Sequence, residues 1–198
     1  YRKIPKEKIL QIPYYPIINY NTEFQGYPFE LKDGQKVIFS GGRIVKTLGG
    51  GNKYYEIVNH ILENYPETVF WYAADKSCEE MEKILRKYPD RAYLTPERGD
   101  LYQVLQHCYF YLSTYPVCGG LMFQYAAKAG KIPITLYYDE MMDGILINQD
   151  KLGIIFKDLD SLYEEIDKLM QDEEYCRSKG ETMKEAVISE EGFNDEVA

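Results

Sequence analysis

Cys108-Tyr109-Phe110-Tyr111-Leu112 is an apolar run that reads as a β-strand, and the segment directly after it decides the fold. Ser113-Thr114-Tyr115-Pro116-Val117-Cys118 is a loop. Gly119-Gly120 then opens a helix that continues through Ala129, and Ile132 to Leu136 is the next strand. A strand, a loop, a helix and a second strand in this order form a βαβ unit, whose two strands lie parallel with a right-handed crossover.

The same alternation extends in both directions. Val37-Ile38-Phe39 is a short strand ending in Ser40-Gly41-Gly42, and Asn52 is placed to cap a helix with Tyr54, Val58, Ile61, Leu62 and Tyr65 on one face. Val69 to Tyr72 is a strand, and Ser77 with Glu80 reads as a capping box before Met81, Ile84, Leu85 and Tyr88. Ala92-Tyr93-Leu94 is another strand, followed by Asp100 as the cap of a short helix bearing Leu101, Val104 and Leu105. Beyond Leu136, Gly153 to Phe156 is a further strand. Asp160 caps a helix with Leu162, Ile166, Leu169 and Met170 inward, and a last helical stretch runs over residues 172–187. The fold class is therefore α/β: a Rossmann-like, doubly wound parallel sheet of about six strands with helices on both faces.

Residues 1–35 read differently. Ile9–Ile12 is a short strand, and Pro13, Pro16 and Pro28 among many tyrosines exclude helix and central strand. This stretch is read as a linker and lead-in segment, and residues 36–198 as the ligand-binding domain. The chain begins at Tyr1, which suggests a piece of something longer.

The formal net charge of −9 argues against a non-specific nucleic-acid or anionic-membrane binder. No apolar run is long enough to span a bilayer and no secretory signal is evident. Cys78, Cys108, Cys118 and Cys176 are scattered without metal-ligand spacing, so no metal site is expected and reduced thiols in the cytoplasm are the simpler reading. No cofactor is implied. His60, placed on the exposed flank of its helix, and His107 lack Asp or Ser partners at triad spacing. The Asp139-Glu140 and Asp143 cluster reads either as a solvated loop or as a metal site, the solvated loop being the simpler reading.

Three loops at strand carboxyl ends carry the chemistry, because ligands of doubly wound sheets bind there. The first runs from Ser40 to Gly51. Its glycines, including Gly42, let the backbone approach a ligand, and Arg43 and Lys46 supply positive charge for phosphate. It lacks the spacing of a Walker A or Rossmann fingerprint. The second, Thr95-Pro96-Glu97-Arg98-Gly99, either reads the edge of a nucleobase or is a simple βα turn. In the third, Gly119-Gly120-Leu121 either leaves bare N–H groups at a helix start for an anion or marks a helix packed too closely to admit a side chain. Tyr115, nearby, is placed to stack on a base or sugar.

The ordered set resembles the carboxyl-terminal, donor-binding domain of GT-B glycosyltransferases, the glycosyl transferases group 1 family. The matching pieces are Phe39-Ser40-Gly41-Gly42-Arg43, then Tyr111-Leu112-Ser113 with Pro116 and Gly119-Gly120-Leu121. Ala126-Ala127-Lys128-Ala129-Gly130-Lys131-Ile132-Pro133, Asp143-Gly144 and Lys151-Leu152-Gly153-Ile154-Ile155-Phe156 complete the set. The match covers roughly residues 36–190. It implies a nucleoside-diphosphate sugar as ligand and hexose transfer to an acceptor in polysaccharide or glycoconjugate synthesis. It also implies an acceptor site on a separate amino-terminal domain, and a cytoplasmic location, at the inner membrane face for the full-length protein. By the same resemblance Arg43 with Lys46 or Lys53 neutralises the diphosphate, the family's usual lysine position falling near Leu48, and the Gly119-Gly120 helix start holds phosphate oxygens. Many retaining members carry two glutamates eight positions apart at the sugar and ribose. Here those positions are Val117 and Tyr125, and Gln124 beside the second faces elsewhere. No catalytic residue is named by the sequence. Rival readings are a non-catalytic partner subunit and a sugar-nucleotide epimerase.

Overall fold

A computed structural model describes residues 15–197. The expected strand at Ile9–Ile12 lies outside the described residues. Six parallel strands form one sheet: β1 (Lys36–Gly41), β2 (Thr68–Ala73), β3 (Ala92–Thr95), β4 (Phe110–Leu112), β5 (Pro133–Leu136) and β6 (Ile155–Phe156), in the order β3-β2-β1-β4-β5-β6. Every strand pair is parallel, and β1 meets β4 through Ile38–Phe110 and Phe39–Tyr111. The chain winds outward from β1 to β3, then returns to β4 on the other side of β1. The strand order therefore reverses between β1 and β4, and their carboxyl ends diverge into a crevice.

The helices are α1 (Lys53–Asn64), α2 (Glu79–Lys87), α3 (Leu101–Gln106), α4 (Gly120–Lys128), α5 (Leu159–Gln171), α6 (Glu173–Glu185) and α7 (Glu190–Val197). α1 packs on α2 and α5, while α3, α4 and α6 form a second group in which α4 touches both others. Strands covered on both faces must be apolar along their whole length rather than alternating, and β2 is buried at every position. Trp71, Tyr54, Tyr72, Tyr111 and Phe39 are among the largest fully buried side chains.

The helix starts depart from the expected caps. Asn52 precedes α1 in a left-handed conformation (φ 59°) with no side-chain cap, because the chain leaves the Gly50–Gly51 turn there. The Ser77–Glu80 capping box does not form. Cys78 occupies the cap position, held by the Tyr55 hydroxyl at 2.9 Å, and three glutamates in the first turn of α2 face the helix dipole instead. α5 is capped by Asp158, whose carboxylate accepts the Ser161 N–H at 2.8 Å, leaving Asp160 within the first turn. His60 is half-buried rather than on an exposed flank, its ring stacked on Tyr163 at 3.7 Å.

Residues 15–31 form a strap across the α4 and α3 side of the domain. Tyr125 donates to the Ile17 carbonyl, the Gln103 amide donates to the Asn19 carbonyl, and Tyr27 donates to the His107 carbonyl. Phe24 stacks on His107 and Phe29 on Tyr93, while Tyr27 meets Trp71 edge-on. The short α3 leaves the sheet beside β3 under-covered, and these rings fill the gap.

Gly180 marks the closest helix approach. A Cβ there would lie 2.2 Å from the Gly130 carbonyl oxygen, a backbone atom at the end of α4. Gly180→Ala should therefore push α6 off α4 and lower stability by about 1–3 kcal/mol or more, the cost of overpacking. Urea unfolding measures it; an unchanged midpoint would mean that α6 does not sit this close.

Candidate functional site

The crevice at the switch point has a volume of about 350 Å³. Gly41, Gly42 and Lys46 line it from the loop after β1, Glu97 and Arg98 from the loop after β3, and Gly119 to Met122 from the start of α4. Two larger clefts exist, one beside β6 and one at the amino-terminal ends of β1 and β4. Size does not select the site; the convergence of a cation with free backbone donors does.

The loop after β1 is pinned from several sides. The Ile44 N–H is accepted by Asp75 at 2.9 Å, which holds that carboxyl below its usual range. Thr47 is fully buried, donates to the Ile44 carbonyl at 2.7 Å and shares a 2.6 Å hydrogen bond with the Tyr55 hydroxyl. The Val117 N–H reaches across the switch point to the Lys46 carbonyl. Gly42 has φ 136°, which a side chain would resist, and Gly50 leaves room for the Tyr115 ring, which a Cβ would meet at 2.5 Å. Lys46 thus projects from a short 3₁₀ turn that is fixed before any ligand arrives.

The backbone of this loop is not a free donor at Gly42, whose N–H is taken by the Ala73 carbonyl at 3.0 Å. The available donors come from α4. Its first helical bond joins Phe123 N–H to the Gly119 carbonyl, which leaves the N–H groups of Gly120, Leu121 and Met122 as first-turn donors. Lys46 Nζ lies 3.9 Å from where a Cβ on Gly119 would sit, so its ammonium faces this helix start. Close packing does not explain the two glycines. A Cβ on either would meet neighbours only at ordinary distances of 3.6 Å or more, and Gly119 has φ −89°. Their effect is to keep the helix start bare. A cation facing a helix amino terminus is an arrangement whose charge and donors suit an anion.

Arg98 was the residue that sequence reasoning passed over. Its guanidinium is held by both carboxylate oxygens of Asp100, at 2.8 and 2.6 Å, and lies 5.0 Å from the Trp71 ring centroid. Asp100 was expected to cap α3, but its fully buried carboxylate makes no cap. The bidentate charged pair and the Gln25 N–H of the strap, at 2.9 Å, take its lone pairs instead. Burial alone would raise the Asp100 carboxyl; the Arg98 pair and the Gln25 N–H overcome it and hold the carboxyl below its usual range. The Arg98 charge is thereby neutralised in place. Lys46 is the lining cation without an ion-pair partner among the described residues.

Of the residues singled out in sequence, Gly42, Lys46, Gly119, Gly120 and Leu121 come together in the crevice. Arg43 is exposed on the loop and Lys53 begins α1; neither lines the crevice. Pro96 is exposed beside Glu97. Tyr115 is buried against Gly50 and edge-on to Tyr138, and Tyr125 is engaged by the strap. Val117 is exposed, while Gln124 is buried and donates to the Ile145 carbonyl at 2.7 Å. Burial pushes the Cys118 thiol up to about 11, so no thiolate stands beside the crevice at neutral pH. No group of three or more metal-ligating side chains occurs among the described residues. No helix there is long and apolar enough to cross a membrane.

No protein-family model matches the chain, and no curated protein matches its sequence. Solved structures match its shape. WaaG, a glycosyltransferase involved in lipopolysaccharide biosynthesis, superposes with a TM-score of 0.66 at 14% identity, over 84% of this chain and 46% of WaaG. The fold is shared with glycosyltransferases. An O-GlcNAc transferase from Thermobaculum terrenum gives a TM-score of 0.61 at 16% identity over 85% of this chain and 36% of that one. MnaA from S. aureus, solved with UDP, gives 0.53 at 16% identity over 74% and 39%. The chain spans less than half the length of each of these proteins. The α/β, Rossmann-like sheet expected from sequence is thus the observed one.

Proposed function

We propose that this chain is the donor-binding half of a two-domain glycosyltransferase, holding a nucleoside-diphosphate sugar for hexose transfer in polysaccharide or glycoconjugate synthesis in the cytoplasm. The observation that carries the reading is Lys46 facing the bare amino terminus of α4 across the switch-point crevice. The diphosphate lies between them, and charge that grows on it as the sugar departs is taken up by groups already in position. The nucleoside end points toward Glu97 and Arg98, the lining residues from the loop after β3. Arg43, exposed on the same loop as Lys46, is the second cation and reaches the diphosphate only from the rim. Arg43→Ala therefore costs about 0.2–1 kcal/mol of nucleotide affinity, the range for exposed ion pairs. The acceptor site belongs to a partner domain.

A second reading, a nucleotide-sugar-binding subunit without catalysis, draws on one observation. The positions of the family's glutamate pair hold Val117 and a Tyr125 whose hydroxyl is committed to Ile17. Both readings expect these 198 residues alone to bind donor nucleotide yet transfer no sugar, since one domain positions no acceptor. An assay with nucleoside-diphosphate sugars and a panel of acceptors checks this. Turnover by the isolated chain would contradict it, and transfer by the full two-domain protein separates the first reading from the second.

A further inference from the structure

The β3 side of the crevice is walled by two consecutive residues of opposite charge, Glu97 and Arg98. Beside them lie two apolar residues, Ala73 at the end of β2 and Leu101 at the start of α3. The two Asp100 oxygens hold Arg98 through Nε and Nη2. Its Nη1 makes no hydrogen bond among the described residues, so this wall keeps an N–H donor. Glu97 is exposed and has no ion-pair partner among the described residues, so both of its oxygens remain acceptors. We infer that this wall selects guanine, so that the nucleotide held here is guanosine diphosphate; the inference rests on the donor reading above.

The choice follows from the hydrogen-bond pattern. The wall offers one donor, from Arg98, and next to it two acceptors, from Glu97. Guanine carries the complement on its pairing edge: O6 accepts, while N1–H and the N2 amino group donate in parallel. Uracil presents acceptor, donor, acceptor, so one of its carbonyl oxygens would meet a carboxylate oxygen. Cytosine and adenine each set a single amino donor beside a ring nitrogen that accepts. None of the three gives a carboxylate two adjacent N–H groups. Glu97 therefore favours guanine and also repels the alternatives, and discrimination needs both. Leu101 and Ala73 cover a ring face, which every base has. Lys46 and the first-turn N–H groups of α4 face the diphosphate, which every nucleoside diphosphate has, so the others still enter the crevice and bind there more weakly.

The test titrates the whole chain by calorimetry with the diphosphates of guanosine, inosine, adenosine and uridine. Guanosine diphosphate should bind at least about tenfold tighter than the adenosine or uridine form. Inosine diphosphate keeps O6 and N1–H and lacks only the N2 amino group, so it should fall between. Glu97→Gln is an exposed change that turns one acceptor into a donor, the pattern that uracil needs. The guanosine form should then weaken about tenfold and the uridine form should gain. Glu97→Ala should bring the guanosine form down to the affinity of the adenosine form, a purine of the same size. Equal binding of all four by the unmodified chain, inosine diphosphate as tight as guanosine diphosphate, or a guanosine preference that survives Glu97→Ala would each overturn the inference and leave the donor reading standing. Silence from all four diphosphates would overturn the donor reading and this inference with it.

Discussion

Replacing Lys46 by Ala is expected to weaken nucleoside diphosphate binding by about 1.5–3 kcal/mol, the range for hydrogen bonds to charged groups, or roughly ten- to more than a hundredfold. The loop that carries Lys46 is tied by Asp75, Thr47 and Val117, so the substitution removes the ammonium without releasing the backbone around it. Nothing else in the lining replaces the charge, because Arg98 is already paired with Asp100. Calorimetry with a nucleoside diphosphate reads the loss, and the parent nucleoside without phosphate serves as control. Its affinity should be unchanged. Equal losses for both ligands would show that Lys46 shapes the crevice rather than holding phosphate.

The largest effect on stability is expected at Asp100. Arg98 is 13% exposed and Asp100 not at all, so Asp100→Ala leaves a largely buried guanidinium and the part-buried Gln25 N–H without their acceptor. Removing one partner of a buried pair costs about 3–5 kcal/mol. Replacing both residues by apolar ones, Arg98→Leu with Asp100→Leu, should recover much of that loss, because no charge then remains unpaired. The pair also gives stability a pH dependence. The Asp100 carboxyl is held lower in the folded chain than in the unfolded one, where it titrates near about 3.9. Its contribution is therefore present above that value and fades as the pH falls through the lower, folded one. Urea unfolding at neutral pH and at pH values below about 3.9 measures both effects. A loss below about 1 kcal/mol for Asp100→Ala would mean that the pair is solvated and the strap is not anchored by it.

The sheet was legible because its strands are buried on both faces. Val69-Phe70-Trp71-Tyr72 and Tyr109 to Leu112 are apolar without interruption, and the glycines that end helices and turns are local signals. Helix caps were less legible. A cap depends on what else competes for the side chain: Asp100 answered to Arg98, and Cys78 took the position proposed for Ser77 because Tyr55 holds it. The crevice was half visible. Gly119-Gly120 stood out as a motif, but whether Lys46, Arg43 or Lys53 faced it depended on a 3₁₀ turn that no periodicity announces. Arg98 was hidden for a different reason. In sequence it is one more charge in a turn, and only its clamp to Asp100 over Trp71 makes it part of a wall. The strap could not be read as packed at all, since its prolines and tyrosines obey neither helix nor strand spacing.

The most direct test of the account is a crystal structure of this chain with UDP. The account predicts a diphosphate bridging Lys46 Nζ and the N–H groups of Gly120 and Leu121, with the base toward Glu97 and Arg98. A diphosphate ordered in the cleft beside β6, or at the amino-terminal ends of the strands, would contradict it.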